Sequence, residues 1–389
     1  MKQTASSASD SVDGRGRKPR VWALYAGGFL GPFGGGMTTT MLPEMGHSVH
    51  VGVADAALSI TVYMVPFAAV LLISGSLAER WGKQRTLRAA YAVYIAASVL
   101  ILFASSLGLI LLGRGLQGIA NAFVTPVLLA VLSDMASSER LGRTLGLFGS
   151  CQAAGQAMAP FAGGIAAELG WRWAFAASAV VGLVLMVMTP SGGARTAPAV
   201  EKGSGNVLRR GVIVAALAAA AAYLTMMGML LLGALMASDT FGANPTMRGL
   251  VVASCGVAGL AAGPLVGSFT DRVGIRVAGA VLALVLAGAA VIAGLAPALI
   301  VMVLGMLIGG AANTGVRAAT SVLAVRTVPN NRGGAVSFVL AFQFVGAAIA
   351  PVIWVPLYHA NGDQVLAWAA GGAVVAAILL GVFSGTSRK

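Results

Sequence analysis

Two arginines lie inside long apolar stretches of the sequence, where a charge is costly. Arg114 falls in the stretch near residues 107 to 132, and Arg317 falls in the stretch near 298 to 325. A central arginine costs about 2.5 to 3.5 kcal/mol on insertion scales, so such residues usually face a cavity or a partner. Both are candidates for binding a substrate or moving a proton. The alternative is that each side chain extends to the membrane interface.

Uncharged side chains in the same stretches supply the other candidates for a substrate or proton path. Gln117 lies one helical turn from the first arginine and is predicted to hydrogen-bond it or a substrate. Asn121 and Asn313 either bind substrate or join helices by hydrogen bonds, and both interpretations stay open. Tyr63 and Met227 are predicted to line an adaptable apolar wall, with ordinary packing as the alternative.

The twelve acidic residues all lie outside the middle of the apolar stretches. Proton antiport commonly uses a buried carboxylate whose raised pKa lets it load and release a proton. Glu44 and Asp55, at the outer ends of the first two stretches, are the nearest candidates. Coupling through arginine and water, or no coupling at all, are the alternatives. Buried positive charge without buried negative charge favours neutral or anionic substrates over cationic ones.

The composition indicates a protein of the lipid bilayer. Of 389 residues, 58% are hydrophobic and only 10% are charged, against about 25% charged in a typical soluble domain. The 53 glycines suit close packing of helices. The cysteines and histidines have no metal-site spacing, and no nucleophile–base pair or phosphate-binding loop is visible. We therefore expect no metal, no cofactor and no enzyme activity.

Apolar runs of about twenty residues, the length that crosses about 30 Å of hydrocarbon, occur twelve times. They lie near 21 to 43, 57 to 78, 86 to 105, 107 to 132, 144 to 168, 171 to 190, 211 to 237, 249 to 270, 276 to 296, 298 to 325, 333 to 358 and 364 to 384. The polar stretches predict a cytoplasmic tail at 1–20 and a cytoplasmic linker at 191–210. They separate two six-helix halves, 21–190 and 211–389.

The lysines and arginines predict the orientation of the chain. Connections on one side carry 21 of the 25, whereas the opposite side carries only Arg172 and Arg248. The positive-inside rule then places both termini in the cytoplasm of a multi-pass protein, which we assign to the bacterial cytoplasmic (inner) membrane. Because the basic residues are spread over every inner loop, the lipid bilayer is an expected partner and nucleic acid is not.

A sequence repeat relates the two halves. The segment GSLAERWG begins at Gly75 and GSFTDRVG begins at Gly267, 192 residues later, and the same offset relates Asn121 to Asn313. Such repeats place a binding site near the bilayer midplane at their interface. The repeated loop is predicted to act as a cytoplasmic gate, with topology anchoring as the alternative for its basic residues. Its candidate residues are Gly75, Glu79, Arg80, Gly82, Lys83, Gly267, Asp271, Arg272 and Gly274.

With these motifs the chain resembles the major facilitator superfamily, and within it the twelve-span drug:proton antiporters. The family's loop pattern G-x-L-a-D-R-x-G-R-K is met by Gly75, Leu77, Ala78, Arg80, Gly82 and Lys83. Departures from it are Glu79 in place of aspartate and Gln84 at the last basic position. The fourth span fits the pattern R-x-x-Q-G with Arg114, Gln117 and Gly118. The fifth span fits an export-associated glycine pattern, with Ala159 in place of its third glycine, through Gly146, Gly155, Pro160, Gly163 and Gly164.

The resemblance implies an all-α membrane protein with twelve transmembrane helices in two six-helix bundles related by pseudo-two-fold symmetry, working as a monomer. It implies a role for Arg114 in proton coupling. The glycines of the fifth span, Gly163 among them, are expected to bring the two halves into contact. We expect export of small amphipathic molecules (drugs, antibiotics) by alternating access in exchange for protons. The alternatives are a transporter of one metabolite, such as a sugar or amino-acid derivative, and a transport-inactive membrane sensor.

Overall fold

A computed structural model describes residues 21–136, 140–189 and 207–382, and within these ranges every regular element is a helix. Residues 1–20 and most of the predicted linker at 191–210 lie outside the described residues. Nine helical stretches of the described part are long and apolar enough to cross a membrane individually. These nine account for most of the spans expected from the apolar runs.

The helices form twelve spans in two bundles of six, as predicted. Those of the first half are α1 (Val21–Gly36) continued through a 3-10 turn (Met37–Thr40) into α2 (Leu42–Ser48), α3 (Val53–Trp81), α4 (Lys83–Leu102), α5 (Leu107–Met135), α6 (Leu141–Leu169) and α7 (Arg172–Met188). Those of the second half are α8 (Arg210–Asp239), α9 (Pro245–Val273), α10 (Ile275–Gly294), α11 (Leu299–Thr327), α12 (Arg332–Asn361) and α13 (Gln364–Trp368) followed by α14 (Ala370–Val382).

The first span is broken in the middle, although its apolar run predicts one segment from 21 to 43. Helix α1 ends at Gly36, after three successive glycines, and Met37–Thr40 form a 3-10 turn. Glycine is the poorest helix former after proline, and threonine is also unfavourable, so this sequence ends a regular helix easily. The break leaves backbone carbonyl groups at the end of α1 available for other partners.

The repeat found in the sequence is also present in the contacts of the backbone. A Cβ added to Gly118 of α5 would overlap the carbonyl oxygen of Tyr63, and one added to Gly310 of α11 would overlap that of Cys255. Each residue of the second pair lies 192 positions after its counterpart. The α3–α4 and α9–α10 turns likewise contain equivalent glycines, Gly82 at φ +89° and Gly274 at φ +84°, a region that favours glycine.

The halves pack against each other mainly through α6 on α9 and α3 on α12. We call the end of the bundle that carries Val21 and Val382 the terminal end. The opposite end, where α2, α4, α6, α8, α10 and α12 lead into the next helix, is the distal end. An apolar cluster runs across the interface and includes Ile60 of α3 and Met226 of α8.

Candidate functional site

Arg114 of α5 is fully buried and binds the broken end of α1. Its Nη1 donates to the carbonyl oxygen of Gly34 (3.2 Å), and its Nη2 donates to that of Gly35 (3.5 Å). These carbonyls lie in the last turn of α1, where the helix dipole favours a cation. The side chain therefore does not extend to the interface, and it stabilises the break in the first span.

The remaining contacts of Arg114 connect it to α3 and α4. Its Nε donates to the carbonyl oxygen of Ser59 (3.4 Å), and its guanidinium carbon lies 4.2 Å from the ring centre of Tyr63. Gln117 accepts from Nη1 (2.9 Å) and donates to the Ser98 hydroxyl (2.8 Å). Four of the five N–H donors of an arginine are thus used, and each of these four acceptors is an uncharged oxygen. Ser98 was missed by the sequence reasoning, although a serine inside an apolar span is a detectable signal.

Asn121 lies at the midpoint of α5 and joins three helices. Its Nδ2 donates to the carbonyl oxygen of Gly31 in α1 (3.1 Å) and to the hydroxyl of Tyr63 in α3 (2.6 Å). Of the two roles left open by the sequence, the amide performs the joining of helices in this structure. Tyr63, 2% exposed, contacts both Asn121 and the guanidinium, so it belongs to the same polar group.

In the second half, sulfur-containing side chains occupy the positions equivalent to this charged group. Met306 and Cys255 stand at the positions equivalent to Arg114 and Tyr63, 192 residues on. Their sulfur atoms are 3.4 Å apart, and both side chains are buried. The folds of the two halves therefore match while their central chemistry differs.

Two polar side chains of α11, in the second half, have groups without a hydrogen-bond partner among the described residues. Asn313, the counterpart of Asn121, is 6% exposed, and its buried Oδ1 accepts no hydrogen bond from a described residue. Arg317, one turn nearer the terminal end, is exposed, so the expectation of a second buried cation is wrong for this conformation. It lies on the opposite side of α11 from the exposed apolar row of Leu304, Ile308 and Val322.

Met227 of α8 is 5% exposed and belongs to the apolar cluster that crosses between the halves, as does Tyr63. Nearby on α8, the hydroxyl of Tyr223 accepts a hydrogen bond from Nε2 of Gln156 in α6 (2.7 Å). Thr61 of α3 similarly donates to the carbonyl oxygen of Ala348 in α12 (2.7 Å). The halves are therefore joined near mid-bundle by few polar contacts among many apolar ones.

The repeated loops lie at the terminal end. Lys83 forms an ion pair with Asp134 of α5 (2.5 Å), within its own half. This contact does not join the loop to the opposite half. Asp134 was missed because it follows the fourth span without any motif. The side chains of Glu79, Arg80 and Arg272 are exposed, and space is free around Gly75. The surroundings of Gly267 and Asp271 lie outside the described part of the chain.

The glycines of α6 contact two different neighbours. Gly155 approaches the carbonyl oxygen of Phe29 and Gly163 that of Met37, both in the first half. Gly164 instead faces α9, where an added Cβ would overlap the carbonyl oxygen of Pro245. The expectation that Gly163 lies between the halves is therefore wrong, and its neighbour Gly164 occupies that place. The backbone oxygen of Pro160 accepts from Thr40 (2.9 Å), whereas Gly146 has open space around it.

Charged groups close the distal end across the two halves. Nη2 of Arg248, in the first turn of α9, donates to both carboxylate oxygens of Glu44 in α2 (2.7 and 2.8 Å) and to the carbonyl oxygen of Thr40 (2.5 Å). Arg248 is 2% exposed. Close by, Glu168 of α6 accepts from the backbone N–H of Thr246 (3.2 Å). The sequence analysis did not predict this pairing, and it named Glu44 only as a candidate for carrying a proton.

Replacing Glu44 by glutamine is expected to loosen the distal end. The amide keeps the shape of the side chain but leaves the buried Arg248 without a counter-charge, and loss of one partner of a buried pair is costly. Hydrogen–deuterium exchange of α2 and the first turn of α9 should become about tenfold faster or more. The same exchange in Glu79→Gln, altered at the terminal end, serves as the control. Equal protection in both variants would show that the ion pair does not hold this end.

An apolar groove of about 410 Å³ separates α3 from α12 at the surface. Val65, Leu72 and Val352 line it, and each is about half exposed. Its lining side chains are almost entirely apolar, so it faces the surface that contacts lipid and is distinct from the polar group around Arg114.

Known proteins resemble this chain at the level of family and fold. A multidrug resistance protein B homolog of Mycobacterium tuberculosis is 32% identical over 136 residues, covering 35% of this chain and 25% of that protein. A puromycin resistance protein of Streptomyces alboniger is 28% identical over 185 residues, covering 46% and 37%. The alignments thus cover well under half of these relatives' length.

Solved transporter structures superpose over nearly the whole chain. The nucleoside transporter NupG matches with a TM-score of 0.75 at 16% identity, covering 92% of this chain and 98% of that chain. A D-xylose-proton symporter matches with a TM-score of 0.74 at 17% identity, covering 93% and 97%. The family model of the Major Facilitator Superfamily matches residues 24–232 and 212–388. This multi-pass membrane protein therefore belongs to the major facilitator superfamily of transporters.

Proposed function

We propose that this protein exports small amphipathic molecules, such as drugs or antibiotics, across the bacterial inner membrane in exchange for protons. The observation that carries the proposal is the buried group of Arg114, Gln117, Asn121 and Tyr63 at mid-bundle, below a distal end closed by contacts between the halves. A transporter needs a polar site near the midplane and a gate on each side of it.

The orientation of the chain is part of the proposal. The terminal end is proposed to lie in the cytoplasm, and the excess of Lys and Arg in its connections supports this orientation. The closed distal end then faces outward, and the conformation is one that admits substrate from the cytoplasm. The exposure of Arg317, on the side of α11 opposite the lipid-facing row, supports access from that side.

The mechanism that we propose uses the asymmetry of the halves. The first half holds a fixed cation, because Arg114 is bound to the carbonyl oxygens of α1. The apolar cluster with Met227 and Tyr63 gives a deformable wall, since thioether side chains adapt to irregular ligands. Rocking of the halves would separate Arg248 from Glu44, open the distal end and release the substrate outward. A single chain contains all these groups, so a monomer suffices.

Names of the partial relatives support the proposed substrate class. Relatives described as a puromycin resistance protein and a multidrug transporter from Bacillus subtilis have names that refer to drugs. Another, from Aspergillus niger, is described as a citrate exporter, at 24% identity over 194 residues. Only the last of these three names refers to export, and the compounds that the names mention differ.

Inverted membrane vesicles provide the test of this function. In vesicles whose interior is acid, wild-type protein should concentrate several unrelated fluorescent compounds, and a protonophore should release them. Accumulation of a single compound from a broad panel would favour the transporter of one metabolite. No movement of any compound, with correctly folded protein present, would favour the membrane sensor.

A further inference from the structure

The central polar residues of the first half have hydrogen-bond partners for most of their donors, whereas those of the second half do not. In the first half, Arg114 uses four N–H donors and the amide nitrogen of Asn121 has two acceptors. In the second half, no described residue makes a hydrogen bond with Oδ1 of Asn313 or with the guanidinium of Arg317. A buried acceptor without a hydrogen bond costs about 1 to 3 kcal/mol. Polar groups without hydrogen-bond partners at the centre of a transporter are available to bind a ligand.

Asn313 and Arg317 share one face of α11 at the middle of the fold. Asn313 is the midpoint residue of Leu299–Thr327, and Arg317 lies one turn, or about 6 Å, nearer the terminal end. Gly310, on an adjoining face, is pressed against α9, and Gly309 meets Met229 of α8. The face between these two contacts points to the interior of the bundle.

The charge around Arg317 is not compensated. Among the described residues its guanidinium has no hydrogen-bond or ion-pair partner, and the carboxylates of these residues lie towards helix ends or in connections. An unpaired cation attracts an anion and repels a second cation. Arginine also binds carboxylates through two parallel N–H donors.

We propose that Asn313 and Arg317 form a substrate subsite that takes amphipathic organic anions. This inference rests on the proposed export function and names its substrate class. A carboxylate or sulfonate of the substrate binds the Arg317 guanidinium. An N–H or O–H donor about 6 Å away binds Oδ1 of Asn313. The apolar remainder of the substrate contacts the cluster that contains Met227.

A set of three dansyl probes, one anionic, one neutral and one cationic, tests this subsite. The dansyl derivative of γ-aminobutyrate carries a sulfonamide N–H and a carboxylate. Its primary amide is neutral, and dansylcadaverine is the cationic analogue. Wild-type protein in acid-inside inverted vesicles should accumulate the acid about tenfold faster than the cation, the effect of one charge-assisted hydrogen bond.

Two variants of α11 assign the preference to Arg317. In Arg317→Gln the ratio of acid to amide transport should fall about tenfold, while Arg317→Lys should retain part of it. Arg326→Gln is the matched control, because Arg326 is an exposed arginine in the last turn of the same helix. It should keep the wild-type ratio. Size-exclusion profiles establish that each variant is folded.

The outcomes separate this inference from the export function. If wild-type protein accumulates the amide or the cation but not the acid, the subsite is refuted and export stands. An unchanged acid-to-amide ratio in Arg317→Gln also refutes the subsite. If wild-type protein accumulates none of the three probes and no compound of the broader panel, the export function itself fails.

Discussion

Replacing Arg114 by alanine is expected to reduce transport at least about a hundredfold. The change removes the donors to the carbonyl oxygens of Gly34, Gly35 and Ser59 and to the amide oxygen of Gln117. Each buried acceptor left unsatisfied costs about 1 to 3 kcal/mol. Two such losses correspond to about two orders of magnitude or more in rate, at about 1.4 kcal/mol for each factor of ten. The measurement is proton-driven uptake in inverted vesicles.

Two companion variants separate a coupling role of Arg114 from a structural one. Lysine at this position keeps the charge but has fewer N–H donors and lacks the planar guanidinium. Compared with Arg114→Ala, Arg114→Lys should therefore recover the yield of folded protein more fully than the transport rate. Ser98→Ala removes only the far end of the network and should cost no more than about tenfold. If Arg114→Ala takes up substrate at the wild-type rate, Arg114 has no role in the mechanism.

A valine at Gly164 is expected to prevent the distal end from closing. A valine at Gly163 is expected to impair folding. The first would meet the backbone of Pro245 and Gly249 in the opposite half, whereas the second would meet the backbone of Met37 in its own half. Backbone cannot rotate away, and overpacking typically costs about 1 to 3 kcal/mol. Gly164→Val should therefore lose about tenfold or more in transport with a near-normal folded yield. Gly163→Val should lose folded protein first.

Gly146→Val is the matched control on the same helix, since nothing lies within 4 Å of a Cβ at that position. It carries the same propensity cost for a β-branched residue in a helix. Folded yield by size exclusion and uptake in vesicles are measured for all three variants. Equal behaviour of Gly163→Val and Gly164→Val would contradict the assignment of the two glycines to different interfaces.

The sequence predicted the features that depend on local pattern. The apolar runs predicted the twelve spans, and the repeat correctly paired Gly82 with Gly274. The apolar runs also identified Arg114 as a charged residue within a span. The acceptors of Arg114 could not be predicted in this way, because they are backbone carbonyl oxygens, which no side chain marks. The break at Gly34–Gly36 that exposes them is only weakly encoded by a run of glycines.

Contacts between the halves were the least predictable part of the site. The pairing of Glu44 with Arg248 joins residues 204 positions apart and depends on how two independent bundles dock. Gly163 and Gly164 differ by about 100° around α6, so Gly163 faces the 3-10 turn after α1 and Gly164 faces α9. The glycine pattern identified the helix that packs closely but not the neighbour that each glycine meets.

The sulfur contact between Cys255 and Met306 has a practical consequence for spectroscopy. Cys255 is 1% exposed, and Cys151 of α6 is the other cysteine of the chain and is partly accessible. Maleimide dyes should therefore attach selectively to Cys151 in the native protein. A single fluorophore would then report motion of α6 without prior removal of thiols by mutagenesis.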